Sequence, residues 1–473
     1  MEKPVGIKLG HYRLLKMQRR EVVIKVLIAL TAVSAIVITN CIQTRENAAL
    51  QASFNTETMD SFFSMLEEND RAMGSISIFE NGREVYSRQI GFRDISAGHY
   101  HDRDTEFRVG SISKTFLAAV IMQMVEEGRL SLETRLDNFF PEVANSQNIT
   151  IRQMLQHRSG IFNLTDDETF PEWMQANQNR ASLLQRITEY ESLFEPGTQE
   201  NYSNSNYFLL ALIAEKTDSA SYDMVIYNRI ANPLGLKRTH VGDTVEPLRN
   251  EALPYLFVGH WLEITAIHPS VLFGAGDIVS TPYELNVFFY NLFNGTLVSE
   301  NSLNEMKNIE GTFGLGLFEI PFYGRQALGH TGGMPGFNAI TLYFPDEGVL
   351  VSYATNALRF PINDILIGVL SIAFAETFEM PVFEDALLLP AEVLQRYAGV
   401  YASPDFPFLI TVFIEDGILM AQATGQSAFP LDAVDEYNFV FETAHIHIQF
   451  LPEAGEMIMT QAGHSFRFTM TED

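Results

Sequence analysis

The sequence predicts a mixed α/β (α+β) chain. An antiparallel sheet carries flanking helices and a helical insert, and a small all-β C-terminal domain follows. Three observations carry this expectation. Strand-like runs occur near residues 74–86 and return between about 251 and 385, with helix patterns in between, so the sheet is built from both ends of one domain. Asn81-Gly82 and Asp416-Gly417 each separate two strand-like runs, and such pairs supply the positive φ angles of a tight hairpin turn. From Tyr397 onward nearly every run is strand-like, at the spacing of a small sheet or barrel of about 80 residues.

The elements follow in order. Residues 1–40 hold seven basic and two acidic groups, a net of +5, and an apolar run spans 26–38. Basic residues before a short apolar run predict a signal peptide or membrane anchor over 1–41, because thirteen residues fall short of the ~20 that span a bilayer. Three export readings stay open: a lipoprotein, an uncleaved anchor and a cleaved signal. All place the body outside the cytoplasm, in a bacterial periplasm or on the cell surface, with membrane contact through the N-terminus. Polar residues 42–57 read as a tether.

The large domain is expected over 58–385. After its first hairpin, residues 111–127 read as a helix, with Phe116, Leu117, Val120, Ile121, Met124 and Val125 at 3–4 spacing and Gly128 as the stop. Residues 339–344 and 349–354 read as strands joined by Pro345-Asp346-Glu347-Gly348. The small β domain is expected over 390–473, where His445, His447 and Gln449 alternate with Ile446, Ile448 and Phe450.

Composition bounds the function. The 473 residues include 31 basic and 59 acidic side chains, a net of −28, of which −33 belongs to the chain after residue 40. Such a surface repels phosphate, so no nucleic-acid partner is expected. The lone Cys41 excludes an internal disulfide and a cysteine-based zinc site. His445, His447 and His464 lack the further ligand pattern of a metal centre and read as a solvated face. No cofactor and no metal are expected, and the oligomeric state is not legible.

Chemistry concentrates in three places. In Ser111-Ile112-Ser113-Lys114, positions i and i+3 of a helix put the lysine amine beside the serine hydroxyl, and the helix N-terminus favours an oxyanion. Burial would lower the pKa of Lys114 and let it accept the hydroxyl proton. Tyr202-Ser203-Asn204 offers a phenol for proton transfer, if nearby cations tune it, and an amide that both donates and accepts. His330-Thr331-Gly332-Gly333 permits close backbone approach to a ligand, and an amide there could join the Ser111 N–H in an oxyanion hole.

Ser-x-x-Lys at 111, Tyr-x-Asn at 202 and His-Thr-Gly at 330 resemble the signature motifs of the serine β-lactamase and penicillin-binding-protein superfamily. The nearest likeness is to class C β-lactamases and the related esterases, D-aminopeptidases and DD-peptidases. Residues 153–161, 202–207 and 274–280 look familial too, and the resemblance covers about 58–380. The C-terminal part resembles the lipocalin-like domain appended in many relatives. The resemblance implies Ser111 as acylated nucleophile, Lys114 as activating partner and Tyr202 in proton transfer. It implies Asn204 orienting Lys114 and the substrate, with His330, Thr331 and Gly332 on the substrate and the Ser111 and Gly333 amides as the oxyanion hole. His157 is expected to be structural, in a helix-ending turn.

His330 departs from the family, which usually carries Lys there to attract a substrate carboxylate. A largely neutral imidazole shifts the expected substrates, small molecules or peptides, toward esters, amides and D-amino-acid peptides. The expected activity is a serine hydrolase working through an acyl-enzyme. The alternatives are a class C-type β-lactamase or DD-carboxypeptidase, and, from another class, a non-catalytic sensor or scaffold for peptidoglycan fragments.

Overall fold

Helix α1 (Thr56–Glu68) begins at a side-chain cap, the Asn55 carboxamide accepting the Thr58 N–H at 3.0 Å. Regular structure therefore starts two residues before the expected boundary at 58. The structure, a computed structural model, describes residues 55–383, 386–424, 428–461 and 463–471. The leader, Cys41 and nearly all of the tether lie outside them. Among the described residues no helix is long and apolar enough to cross a membrane.

Strands β1 (Ala72–Glu80) and β2 (Arg83–Ile90) form the first hairpin, with Asn81 and Gly82 both at positive φ as expected. Four later strands complete the sheet: β3 (Phe318–Phe322), β4 (Arg325–Met334), β5 (Phe337–Phe344) and β6 (Val349–Leu358). The order is β3-β4-β5-β6-β1-β2, antiparallel throughout, so the two ends of the domain meet where β1 pairs β6. Ser75 and Ser77 alternate with Ile76 and Ile78 in β1, yet all four are buried. The small serines are covered too, and Ser77 donates to Glu84 at 2.7 Å, because both faces of the sheet are packed.

Helix α2 (Ser113–Glu126) is buried along most of its length and ends at Glu127 before Gly128, whose φ is +71°. It starts two residues later than expected, since Gly110–Ile112 forms a separate 3-10 turn. Helix α3 (Asn204–Asp218) packs against it. A small sheet of Phe107–Arg108, Ile278–Ser280 and His240–Val241 brings residues 274–277 beside the 3-10 turn.

The C-terminal part is a closed eight-stranded barrel in sequential order: β7 (Gly399–Ala402), β8 (Ile410–Glu415), β9 (Ile418–Ala423), β10 (Phe429–Ala433), β11 (Asn438–Phe441), β12 (Ile446–Leu451), β13 (Glu456–Gln461) and β14 (His464–Met470). Closure leaves no free edge. Tyr397, Tyr401, Phe439, Phe450 and Phe468 fill the interior, so the barrel is packed with side chains. Asp416 and Gly417 form its β8–β9 turn at positive φ. His447 is exposed on β12, whereas His445 precedes the strand at φ +50° and lies 3.5 Å from Asp364, so the two do not share a strand face. Ion pairs Arg71–Glu442 and Arg359–Asp432 join the barrel to the residues around the sheet. The described residues within 60–366 and 381–471 form one compact unit, and the described residues 55–59 and 367–380 group separately.

Candidate active site

Ser111 lies in the 3-10 turn that feeds α2. That turn is pinned from below by the Ser113 hydroxyl, which donates to Gly110 O at 2.7 Å and accepts the Ile278 N–H at 2.9 Å. Gly110 sits at φ +52°, and a Cβ there would come within 3.0 Å of Gly333 N. The expected i, i+3 pairing survives the change from α to 3-10, because residues three apart align in both.

Lys114 is fully buried, and its Nζ has three oxygen neighbours: Ser111 Oγ at 2.9 Å, Asn204 Oδ1 at 2.8 Å and Ala275 O at 2.7 Å. Desolvation holds its pKa well below the usual lysine range, and the charge of Asp277 acts in the opposite direction. A neutral amine has two hydrogens and one lone pair. Both carbonyl oxygens can only accept, so they take the hydrogens, and the lone pair is left for the Ser111 hydroxyl. Asn204 is held in turn, its Nδ2 donating to Thr165 Oγ1 at 3.0 Å and its backbone N–H to Asn163 Oδ1 at 2.9 Å.

Tyr202 donates its O–H to Ser111 Oγ at 2.8 Å. Burial pushes its phenol up, and no cation brings it down. This corrects the idea of a phenol tuned toward the anion: Tyr202 is a neutral donor to Ser111 Oγ. Its ring and that of Tyr207 lie 4.8 and 5.5 Å from Lys114 Nζ, so an ammonium formed there would meet two π-faces.

His157 supports this arrangement from behind. It ends a short helix at φ +57°, accepts the Ser203 N–H on Nδ1 at 3.0 Å and stacks on Tyr202 at 4.3 Å. Burial and the nearby Lys114 keep it neutral, so its proton is on Nε2. The expected structural role holds, and the structure adds that His157 positions Tyr202.

His330, Thr331, Gly332 and Gly333 lie within strand β4, with the turn coming later at Pro335-Gly336. Gly332 lies against the 3-10 turn, where a Cβ would come 1.9 Å from Val109 O and 2.9 Å from Ser111 N. The strand therefore brings the Gly333 amide beside the Ser111 turn only because residue 332 has no side chain. Gly332→Ala is expected to force the two apart and lower kcat about 100-fold with a folded protein, checked by ester hydrolysis and a melting curve. His330 is buried, with Nδ1 2.6 Å from Thr331 O, and desolvation takes its pKa down to about 3. It is neutral at any ordinary pH, more firmly than an exposed histidine would be. Phe318 packs on it at 4.8 Å and Phe313 on Tyr202 at 5.7 Å, giving the site an aromatic flank.

Ser111, Lys114, Tyr202, Asn204, His330, Gly332 and Gly333 are thus brought together, Thr331 is exposed on β4 between His330 and Gly332, and Cys41 lies outside the described residues. Sequence reasoning missed Ala275, Thr165 and Asp277 as neighbours of the pair. The signal that could have found two of them was the stretch Gly274-Ala275-Gly276-Asp277, noticed only as familial.

Residues 59–365 match the Beta-lactamase family. The chain is 25% identical over 427 residues to penicillin-binding protein 4* of Bacillus subtilis (strain 168), covering 83% of this chain and 93% of that protein. It is 24% identical over 285 residues to the teichoic acid D-alanine hydrolase of Staphylococcus aureus, covering 59% and 69%. Its fold is similar to that of the D-amino acid amidase from Ochrobactrum anthropi SV3, with a TM-score of 0.61, 23% identity and coverage of 67% of this chain and 99% of the other. The chain belongs to the Beta-lactamase family and is a serine hydrolase.

Proposed function

We propose that this serine hydrolase cleaves D-amino-acid esters, amides and short peptides through an acyl-enzyme on Ser111, and that β-lactams are poor substrates. The observation that carries the chemistry is Ser111 Oγ held between the Lys114 amine and the Tyr202 phenol, at 2.9 and 2.8 Å. Ser111 attacks the carbonyl as its proton passes to Lys114 Nζ, and the C–Oγ bond forms. The Ser111 and Gly333 amides receive the oxyanion. Lys114, with Tyr202 as relay, returns the proton to the departing alcohol or amine. Water then attacks the ester, gives a proton to the same base, and Ser111 leaves with a proton restored.

The substrate preference rests on His330. A neutral imidazole, flanked by Phe318, supplies no fixed charge for a carboxylate. The D-configured substrate class is supported by the relatives, one named a teichoic acid D-alanine hydrolase and one a D-amino acid amidase. A panel of p-nitrophenyl esters, D-amino-acid amides, a D-Ala-D-Ala peptide and nitrocefin tests the reading. Turnover of the esters and amides well above nitrocefin is expected, and nitrocefin as the best substrate would overturn it. His330→Lys is expected to raise kcat/KM for carboxylate-bearing substrates about tenfold relative to neutral esters; an unchanged ratio would contradict the role given to His330.

We place the enzyme outside the cytoplasm, attached through its N-terminal segment, from the basic-then-apolar leader and Cys41 at its end. Palmitate labelling of cells is expected to mark the protein and to vanish in Cys41→Ser. Labelling that survives the substitution would remove the lipid from the account.

A further inference from the structure

Glu200 stands two residues before Tyr202 and takes no part in the chemistry above. Its carboxylate accepts the Thr312 N–H, with its two oxygens 3.1 and 3.3 Å from that nitrogen. The same carboxylate fills the space that a Cβ on Gly311 would occupy, and Gly311 sits at φ +82°. Residues 310–313 form a tight turn closed by an antiparallel bridge between Glu310 and Phe313, with glycine at its first central position. Glu200 therefore grips the apex of that turn. A carboxylate on a backbone N–H is among the stronger hydrogen bonds.

The turn is anchored firmly at its base and lightly at its tip. At the base, the Gly314 N–H donates to Leu317 O at 2.8 Å and the Leu315 N–H to Met306 O at 3.0 Å. The hydroxyl of Thr115, on α2 one residue after Lys114, donates to Gly316 O at 2.7 Å. At the tip, Glu310, Gly311 and Thr312 are exposed, and a short hairpin is marginal on its own. The Glu200 carboxylate ties this tip to the segment that carries Tyr202.

Phe313 is the residue the tip delivers. Its ring meets His157 edge-on at 4.9 Å and Tyr202 at a tilt at 5.7 Å, while His157 and Tyr202 stack at 4.3 Å. The three rings touch pairwise and form a closed aromatic cluster. The backbone on either side of Tyr202 is set from His157, whose carbonyl accepts the Asn201 N–H at 2.9 Å and whose Nδ1 accepts the Ser203 N–H at 3.0 Å. The Tyr202 ring is set by its ring neighbours, and its orientation decides whether the hydroxyl reaches Ser111 Oγ, 2.8 Å away.

We infer that Glu200 is a positioning residue for the reaction: by holding the turn at 311–312 it keeps Phe313 against Tyr202 and His157, and so keeps the Tyr202 hydroxyl on Ser111. Glu200 touches no reacting atom and acts through Phe313. The inference rests on Ser111 and Tyr202 working as proposed above, so labelling of Ser111 is followed beside turnover.

The test measures kcat and KM for p-nitrophenyl acetate in the full chain, with a melting curve and fluorophosphonate labelling of Ser111. Glu200→Ala is expected to lower kcat about tenfold, less than the ~10²-fold that a misplacement of about 1 Å can cost, with KM and melting temperature nearly unchanged. Glu200→Gln, whose side-chain carbonyl still accepts the Thr312 N–H, is expected to recover all but about twofold of the loss. Phe313→Ala is expected to lower kcat at least as far as Glu200→Ala, and Phe313→Leu carries the test if the alanine variant does not fold. Adding Glu200→Ala to the Phe313 variant is expected to cost nothing further, because the ring it positions is gone. Wild-type kcat in Glu200→Ala, no recovery in Glu200→Gln, or losses that multiply in the double variant would overturn this role alone, with Ser111 still labelled in wild type. An unlabelled Ser111 in folded wild type would overturn the acyl-enzyme reading and this role with it.

Discussion

Ser111→Ala is expected to lower kcat/KM by about 10⁴-fold or more on every ester and amide tested, with little change in melting temperature. The reason is the loss of the atom that forms the bond. The Ser111 side chain is the shared partner of Lys114 and Tyr202, at 2.9 and 2.8 Å, and among the described residues no other hydroxyl is bonded to both. Its removal leaves the oxyanion amides and the aromatic flank in place, so residual activity would measure binding and electrostatics alone. Ser113 is two residues away, but its hydroxyl is held by Gly110 O and the Ile278 N–H and cannot substitute. Activity within tenfold of wild type, in protein shown to be free of wild-type contaminant, would move the nucleophile elsewhere.

Lys114 carries the second large effect. Lys114→Met should cost about 10² to 10⁴ in kcat, the usual range for a positioned general base. It also leaves Asn204 Oδ1 and Ala275 O without the donor they share, about 1–3 kcal/mol of stability for each buried acceptor left unpaired. Lys114→Arg separates the two consequences, since arginine supplies donors but does not release a proton. It is expected to remain as inactive as Lys114→Met.

The sign of the pH dependence follows from the same geometry. Desolvation lowers the folded pKa of Lys114, so the amine is neutral and basic above that lowered value and protonated below it. The rate of wild type should therefore fall on the acid side and stay level across the range around pH 10, where an ordinary lysine would still be gaining basicity. A rate that keeps climbing through that range would mean that Lys114 titrates normally and is not the base.

The parts of this site that could be read from the sequence are those that depend on short spacing. Ser111 and Lys114 are three residues apart, and Tyr202 and Asn204 are two apart, so local geometry alone brings each pair to one side. The hairpins were legible at Asn81-Gly82 and Asp416-Gly417, where positive φ is cheap for those residues. The Ala275 carbonyl and the Thr165 hydroxyl were not, because 161 residues separate Lys114 from Ala275 and 39 separate Asn204 from Thr165. Backbone carbonyls leave no mark in a sequence at all.

Two corrections have definite causes. The helix begins at Ser113 because Gly110 takes φ +52° and turns the chain through a 3-10 step, which apolar spacing does not report. The Tyr202 phenol is raised by burial, since the sidedness of a loop residue depends on what stacks over it, here His157 and Phe313. The serines of β1 were equally opaque. Alternation usually marks one wet face, but a sheet covered on both sides buries small polar residues as well.

The central claim is that Ser111 is covalently acylated by its substrate, with a neutral Lys114 as the base that takes its proton. Treating the folded protein with a fluorophosphonate probe and mapping the adduct by peptide mass spectrometry tests it most directly. The account predicts one adduct, on Ser111, formed in wild type and slowed at least about 100-fold in Lys114→Arg. An unlabelled Ser111 in folded wild-type protein, or a label on another residue, would contradict it.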